Sequence, residues 1–481
     1  MKRCILATLC VLTFFVSCSD PSPELNLAFA GDVILDRGVD DQMRLHGDTL
    51  LVNALQQFQG HDYLLINYEG TFSGSPHSQN DRYNFKTEEN RAALLRAGGV
   101  SHASLANNHS FDFGPEGFQN TLQALQQHGV TPLGTDCFPV LLTNRHYRCA
   151  VLAASLTAHN ETLCIAAADS LLKRVGDFKT EHPAVPLIVY IHWGLELQPR
   201  PADWQRRLAA ELAATGVDAI IGHHPHVVQS IEFIGDVPVF YSLGNFVADA
   251  YLPSTDEAII ANLSISDKLE TIRLAPITLI RYFPRMPERR RQLHIIQDFL
   301  QHSPEVALLE SKAGWQVKPA EAVDFREAAD LWLFSGRAFV AAVKKLATGP
   351  HLLTLLLPDG KSNTVSIHGS LSELKVADID HDGKEDILLG IRKKVVFDTT
   401  RRKRLNVFSF RDNNLQPLWL GTKLIYNLVS FDTYSAEGLH YLTTVEEDSL
   451  GNRYAAVYEW DHFGFALNRL RRIHQDETTG Y

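Results

Sequence analysis

Short apolar runs at residues 27–30, 63–66, 102–105, 187–190 and 218–221 alternate with amphipathic stretches from residue 25 to about residue 250. Buried strands separated by covering helices give this alternation, which predicts an α/β layer architecture. The helical spacing is clearest over 117–128, where Phe118, Leu122 and Leu125 share a face ahead of Gly129, and over 204–214, which ends at Gly216. Past Asn245, the runs 257–266 and 271–280 predict a closing hairpin, and 289–302 a helix. A boundary is expected between Ser303 and Asp324, dividing the chain into a first domain over 25–302 and a β-rich second domain over 320–481. Strands are expected in the latter at 352–357, 395–398, 405–410 and 454–460. The similar units Val407-Phe408-Ser409-Phe410 and Val457-Tyr458-Glu459-Trp460 suggest degenerate repeats.

Each of the five apolar runs in the first domain leads into polar residues of metal-ligand type. They are Gly31-Asp32, Asn67-Tyr68-Glu69-Gly70, Asn107-Asn108-His109, His192-Trp193-Gly194 and Gly222-His223-His224-Pro225-His226. Open α/β sheets build their sites from polar groups at the carboxyl ends of strands. A catalytic divalent cation needs carboxylate, amide and imidazole donors and keeps positions open for water and substrate. Asp32, Glu69 and Asn108 with His192, His224 and His226 meet that need, and are enough for a bridged pair of ions.

Several of these residues also have plainer readings. His224-Pro225-His226 suits two rings presented to one centre from an extended loop, with Pro225 holding His224 in extended backbone; alone it would read as a surface turn, and the four other polar strand ends favour a site. His223 is given no role, since it can face the other side of its strand. His109 is placed to protonate a leaving oxygen, with Asp112 fixing its tautomer; the same residues suit a capping turn before Gly114-Pro115, and both readings can hold together. His192 alone would be an ordinary buried imidazole. Arg37 could clamp an anionic group or be an exposed structural arginine. Asn245 could hydrogen-bond the site histidines or simply form a turn with Gly244.

The formal charge of −11 over 481 residues gives no support for nucleic-acid binding by bulk electrostatics, and the basic runs 281–291 and 392–404 read as solvated faces. Lys2 and Arg3 followed by the apolar run 5–16 predict a secretory signal over 1–17. Phe15-Val16-Ser17-Cys18, leading into Ser19-Asp20-Pro21, resembles a bacterial lipobox with Cys18 lipidated; ordinary signal cleavage near Ser17 is the alternative. No later run reaches the roughly 18 apolar residues of a membrane span, so export to a bacterial envelope with attachment through that lipid is expected. Cys4 and Cys10 would leave with the signal. Cys137, Cys149 and Cys164 allow at most one disulfide, and none lies in a polar segment where a thiol nucleophile would be needed. Neither a Gly-x-x-x-x-Gly-Lys loop nor a Gly-x-Ser-x-Gly elbow occurs.

The ordered segments, together with Tyr241-Ser242-Leu243-Gly244-Asn245-Phe246, resemble the bacterial capsule-synthesis CapA (poly-γ-glutamate capsule) family, which is similar to the calcineurin-like metallophosphoesterases. The resemblance covers about residues 26–250 and implies a four-layer αββα domain. It also implies metal ligation by Asp32 and Glu69, the latter as the bridging carboxylate. Asn108, His192 and His224 would hold one ion and His226 the other, with His109 as leaving-group acid. The ions implied are one or two of Mn, Fe or Zn. The chain departs from the phosphoesterase pattern where Asp-x-His reads Asp32-Val33-Ile34 and Gly-Asp-x-x-Asp gives way to Asn67-Tyr68-Glu69. The first ion thereby loses a histidine, leaving one ion, or a second held weakly.

In the last third, Asp378-Ile379-Asp380-His381-Asp382-Gly383-Lys384-Glu385-Asp386 offers Asp378, Asp380, Asp382 and Asp386 as calcium ligands around a turning glycine. Leu389 stands where a helix-loop-helix calcium loop needs Glu. The segment resembles instead an FG-GAP-type strand loop, which implies a propeller-like second domain; an Asp/Gly-rich solvated turn is the alternative. Two functions follow: an envelope-anchored metal-dependent hydrolase of a phosphoester or poly-γ-glutamate-related polymer, or a non-catalytic lipoprotein that tethers an anionic capsule polymer. The sequence carries no signal for oligomeric state.

Overall fold

The computed structural model describes residues 24–72, 83–157, 167–303, 306–311, 314–323, 331–335, 340–344, 350–356, 362–395, 398–411, 414–421, 424–436, 438–462 and 464–473. The expected signal, Cys18 and Cys164 lie outside them.

Two sheets whose central strands run parallel form the centre of the first domain. In one, Leu25–Val33, Tyr63–Tyr68 and His102–Ser104 run parallel in a register that aligns Asp32 with Asn67 and Asn67 with Ser104. In the other, Arg148–Ser155, Leu187–His192, Ala219–His223 and Val237–Phe240 run parallel, aligning Ser155 with His192 and His192 with His223. Near-continuous apolar runs suit strands covered on both faces. Alternate side chains divide the burial: Leu27, Phe29 and Leu65 meet Val151, Ile188, Tyr190 and Ile221 between the sheets. Ala28, Leu64 and Ile66 turn outward onto Leu51, Phe118 and Leu125 of the helices Thr49–Leu55 and Gly114–Gln127. Leu152, Val189 and Ile220 turn onto Leu171, Val175, Leu208 and Leu212 of Ala168–Glu181 and Asp203–Ala214. The layers therefore run helix, sheet, sheet, helix. Gly114–Gln127 starts ahead of the expected 117–128 because Pro115 sits in its first turn, where a missing N–H costs nothing.

The hairpin forms from Glu257–Ile265 and Leu269–Ile280, docked antiparallel on Leu25–Val33. The strand Asn245–Val247 joins the end of that strand on the hairpin's edge, opposite Tyr63–Tyr68, pairing Asp32 with Asn245. This approach leaves no room for a side chain at Gly31, where a Cβ would lie 1.8 Å from the Gly244 carbonyl oxygen.

Within 303–324, Val306–Ser311 and Gly314–Pro319 pair with each other, and the latter pairs with Leu269–Ile280. The first sheet thus continues through this segment into Leu331–Ser335, Val340–Lys344, His351–Leu356 and Ser362–Ile367. Two four-stranded antiparallel meanders follow, 370–419 and 427–473. The run 395–398 is not one strand, because Val395 and Asp398 are paired neighbours at the ends of Asp386–Val395 and Asp398–Arg411. No helix among the described residues is long and apolar enough to cross a membrane.

Candidate metal centre

Both parallel sheets end at the same place. Asp32 and Asn67 finish neighbouring strands of one sheet, His192 and His223 those of the other, and His223 Nδ1 lies 3.5 Å from Asp32 Oδ1 across the seam. Carboxylate oxygens of Asp32 and Glu69 and a ring nitrogen of His192 lie within 4.8 Å of one another, all buried. A second such group joins His224 and His226 to Glu196. The two groups adjoin: His226 Nδ1 is 3.1 Å from Asp32 Oδ2, and His226 Nε2 is 3.9 Å from Glu69 Oε2.

Asparagines organise the inner group. Asn67 Nδ2 donates to Asp32 Oδ1 at 2.7 Å and to Glu69 Oε1 at 2.9 Å, and lies 3.2 Å from His192 Nδ1. Asn107 donates to Asn67 Oδ1 at 3.2 Å and to the Tyr68 carbonyl at 2.8 Å. Asn108 Oδ1 sits 2.8 Å from His192 Nε2, and Asn245 Oδ1 sits 3.0 Å from His226 Nδ1. His109 Nδ1 faces Asp112 Oδ2 at 3.0 Å, while His109 Nε2 points back to the centre, 4.0 Å from Glu69 Oε2. The same Asp112 oxygen accepts from the Phe85 N–H, and the Phe85 ring covers His109 at 4.4 Å. Arg37 is engaged elsewhere: its Nη2 bonds Asp249 Oδ1 at 2.6 Å and its guanidinium lies 4.8 Å from the centre of the Phe85 ring.

The histidine turn differs from its expected form. His224 and His226 have φ values of 96° and 59°, so the segment reverses instead of running extended. A left-handed backbone at non-glycine residues costs about 1–3 kcal/mol each. The reversal is held by the Leu197 N–H donating to the Pro225 carbonyl at 2.9 Å, and this outweighs the extended preference that Pro225 imposes. His223 departs as well. Its alternation with Ala219 and Ile221 carries it to the seam, where its ring meets Tyr190 edge-on at 4.2 Å.

The donor set suits a cation. Asp32 Oδ2, Glu69 Oε2, His224 Nδ1 and both ring nitrogens of His223 are buried without a hydrogen-bond partner. Orphaned buried groups are rare and each needs a cause; shared ligation of a cation would supply one. Charge points the same way. Burial together with the Asp32 charge pushes Glu69 well above the usual carboxylate range. Burial would raise Asp32 too, but the adjacent His223 and His226 rings hold it well below. Burial pushes His224 down to about 4 and His192 well below its ordinary value, and His226 imidazolium adds to both shifts. His226 goes up to about 10, because Glu69 and Asp32 outweigh its burial. The two carboxylates cannot both ionise cheaply here without compensating positive charge.

Sequence reasoning passed over Asn67, His223 and Glu196. Asn67 stands at i−2 from Glu69 on an extended end, so period-two alternation puts both on one face. His223 was open to the same parity argument. Glu196 carries only a weak signal, an acid set between Leu195 and Leu197 just after Gly194, whose φ of 100° turns the chain.

In the last third, carboxylates of Asp378, Asp380 and Asp386 come within 4.8 Å of one another. Asp382 stands outside this group, its Oδ1 accepting from the Lys384 N–H at 2.9 Å. Arg411 pairs with Asp380, and burial with the Asp380 charge raises Asp386 to about 7. Cys137 and Cys149 are free thiols.

Residues 26–250 match the family model described as bacterial capsule synthesis protein PGA_cap. The chain is 26% identical over 255 residues to the PGA biosynthesis protein CapA of Bacillus subtilis (strain 168), across 49% of this chain and 67% of that protein. It is 25% identical over 270 residues to the capsule biosynthesis protein CapA of Bacillus anthracis, across 51% of this chain and 64% of that one. A probable polyglutamine synthesis accessory protein of Mycobacterium tuberculosis is 27% identical over 170 residues, 30% of this chain and 44% of its own length. The chain thus spans about two thirds of the length of the two Bacillus relatives.

Proposed function

We propose, from the premise that its residues 26–250 make this chain a member of the bacterial capsule-synthesis PGA_cap family, that it is a cation-dependent hydrolase of the cell envelope. Its substrate class is a phosphoester or an anionic capsule polymer related to poly-γ-glutamate; its Bacillus relatives are named for PGA and capsule biosynthesis. The observation that carries the reading is the buried Asp32, Glu69 and His192 group, with orphaned oxygens on both carboxylates.

Asp32, Glu69 and His192 would hold a divalent ion of the Mn, Fe or Zn kind, with His224 and His226 beside it. A bound divalent ion supplies Lewis acidity and activates water at neutral pH. The remaining work falls to side chains. Asn67 fixes Asp32 and Glu69 in position, and Asn108 fixes the His192 ring. Asp112 accepts from His109 Nδ1, which leaves Nε2 to pass a proton to the departing oxygen. Phe85 shields His109 from water on one face. We attribute membrane attachment to lipidated Cys18. We read the consecutive four-stranded meanders as propeller-like units, with Asp378, Asp380 and Asp386 as a calcium site.

Elemental analysis of purified protein, then a bis-p-nitrophenyl phosphate assay of wild type and His109→Ala, tests the reading. Turnover with Mn²⁺, Fe²⁺ or Zn²⁺ that is lost in the variant while the metal remains supports it. Metal binding with no turnover favours the non-catalytic polymer tether, which the missing first-strand histidine after Asp32 would suit.

A further inference from the structure

We propose that Glu196 completes an outer cation site with His224 and His226, and that this site binds more weakly than the buried one at Asp32, Glu69 and His192. The inference rests on the metal-centre reading above and adds to it a ligand that the chain's sequence motifs do not contain.

Glu196 lies on an exposed loop, yet the loop is fixed to the site. It leaves the strand Leu187–His192 through the turn at Gly194, where a Cβ would stand 2.7 Å from Gln205 Nε2, and it is pinned at Leu197 to the Pro225 carbonyl. The pin brings the Glu196 carboxylate within 4.8 Å of ring nitrogens of both His224 and His226. No hydrogen bond or ion pair ties Glu196 elsewhere among the described residues. Its charge is felt at Glu69, His224 and His226. On the other side, His224 Nδ1 is buried without a partner, and both histidines hold left-handed backbone to face this point. Strain at a non-glycine residue persists only where its surroundings impose it, and two such residues flanking one proline converge on the same carboxylate.

The ranking of affinities follows from burial. The inner group is enclosed, so its charges interact in a low dielectric, whereas the outer carboxylate is solvated and its attraction for a cation is screened. Charge counting gives the outer site its use. Asp32, Glu69 and Glu196 bring three negative charges, with the imidazoles neutral as ligands. Two divalent ions would more than offset all three, leaving the mouth of the site net positive and attractive to an anionic polymer.

Metal-stripped full-length protein dialysed against Mn²⁺, read by elemental analysis and electron paramagnetic resonance, tests this. Wild type is expected to take up two equivalents, the second at least tenfold more weakly. Glu196→Gln should keep the first and weaken the second at least tenfold, with an unchanged melting temperature in the absence of Mn²⁺. His192→Ala should weaken the first. An unchanged second class in Glu196→Gln, or a single class in wild type that the substitution leaves alone, overturns the outer site while the buried centre stands. Uptake of no metal by wild type overturns the parent reading and this inference with it.

Discussion

Replacing Glu69 by Gln should move stability in opposite directions with and without cation. The side chain is fully buried, its Oε1 accepts from Asn67 Nδ2 at 2.9 Å, and its Oε2 has no partner. Gln keeps the Oε1 acceptor and puts an N–H donor beside the Asp32 carboxylate. An unsatisfied buried group costs about 1–3 kcal/mol, so the metal-stripped variant should be more stable than wild type by roughly that amount. Cation binding adds about 2.7 kcal/mol at a hundred times the dissociation constant. With about 2–4 °C per kcal/mol for a domain of this size, wild type should melt about 5–10 °C higher in saturating Mn²⁺ than in chelator. Glu69→Gln should start a few degrees higher in chelator and gain little from Mn²⁺. Differential scanning fluorimetry of both proteins, with and without Mn²⁺, reads the crossing directly. An equal Mn²⁺-induced rise in the two would refute the assignment of Glu69 as ligand, and a metal-stripped variant several degrees less stable would refute the account of its burial.

Three further outcomes are expected. His109→Ala should lower turnover by about 10²–10⁴-fold, the usual worth of a positioned acid, at unchanged metal content; equal rates in steady-state assays would remove its role. His102, buried beside Ser101 and Tyr63, is held down to about 4 by burial and by Arg96. Its folded value lies below the unfolded 6.5, so the stability it supports is complete above pH 6.5 and is lost as pH falls towards 4, about 3 kcal/mol in all. Urea midpoints from pH 7.5 to 4 should fall more steeply in wild type than in His102→Gln, and parallel curves would contradict the shift. Cys18→Ser should release the protein from membranes on fractionation, and continued sedimentation with the envelope would exclude the lipid anchor.

The first domain was largely legible because its signals are local. Four of the five polar strand ends follow runs whose apolar continuity suits doubly covered strands, and Phe118, Leu122 and Leu125 mark their helix by spacing alone. What could not be read was set by tertiary partners. Arg148–Ser155 is a fully formed strand of the second sheet, but its alanines carry little strand preference and its stability comes from the layers on both sides. The φ values of His224 and His226 run against the local bias of Pro225, and a reversal pinned from Leu197 leaves no trace in nearby sequence. Glu196 lacked any motif of its own, since its relation to His224 arises from two loops meeting across separate strands. The seam contact between His223 and Asp32 joins residues far apart in sequence, although parity along Ala219–His223 already favoured it. In the last third, the hairpin reversal at Val395 and Asp398 is masked by an apolar run that reads as a single strand.

The contact between His223 and Asp32 spans two layers that share no early chain segment. A nascent chain holding only the first layer carries at the site Asp32 and Glu69 with asparagines and a single imidazole, His109, a poor trap for any ion, and His192, His223, His224 and His226 arrive with the second. On the proposed metal centre, ion capture would therefore report completed assembly. A polypeptide threaded across a bilayer in extended form would bring no ion with it, and would acquire its charge-compensated mouth only in the compartment where the two halves finally close.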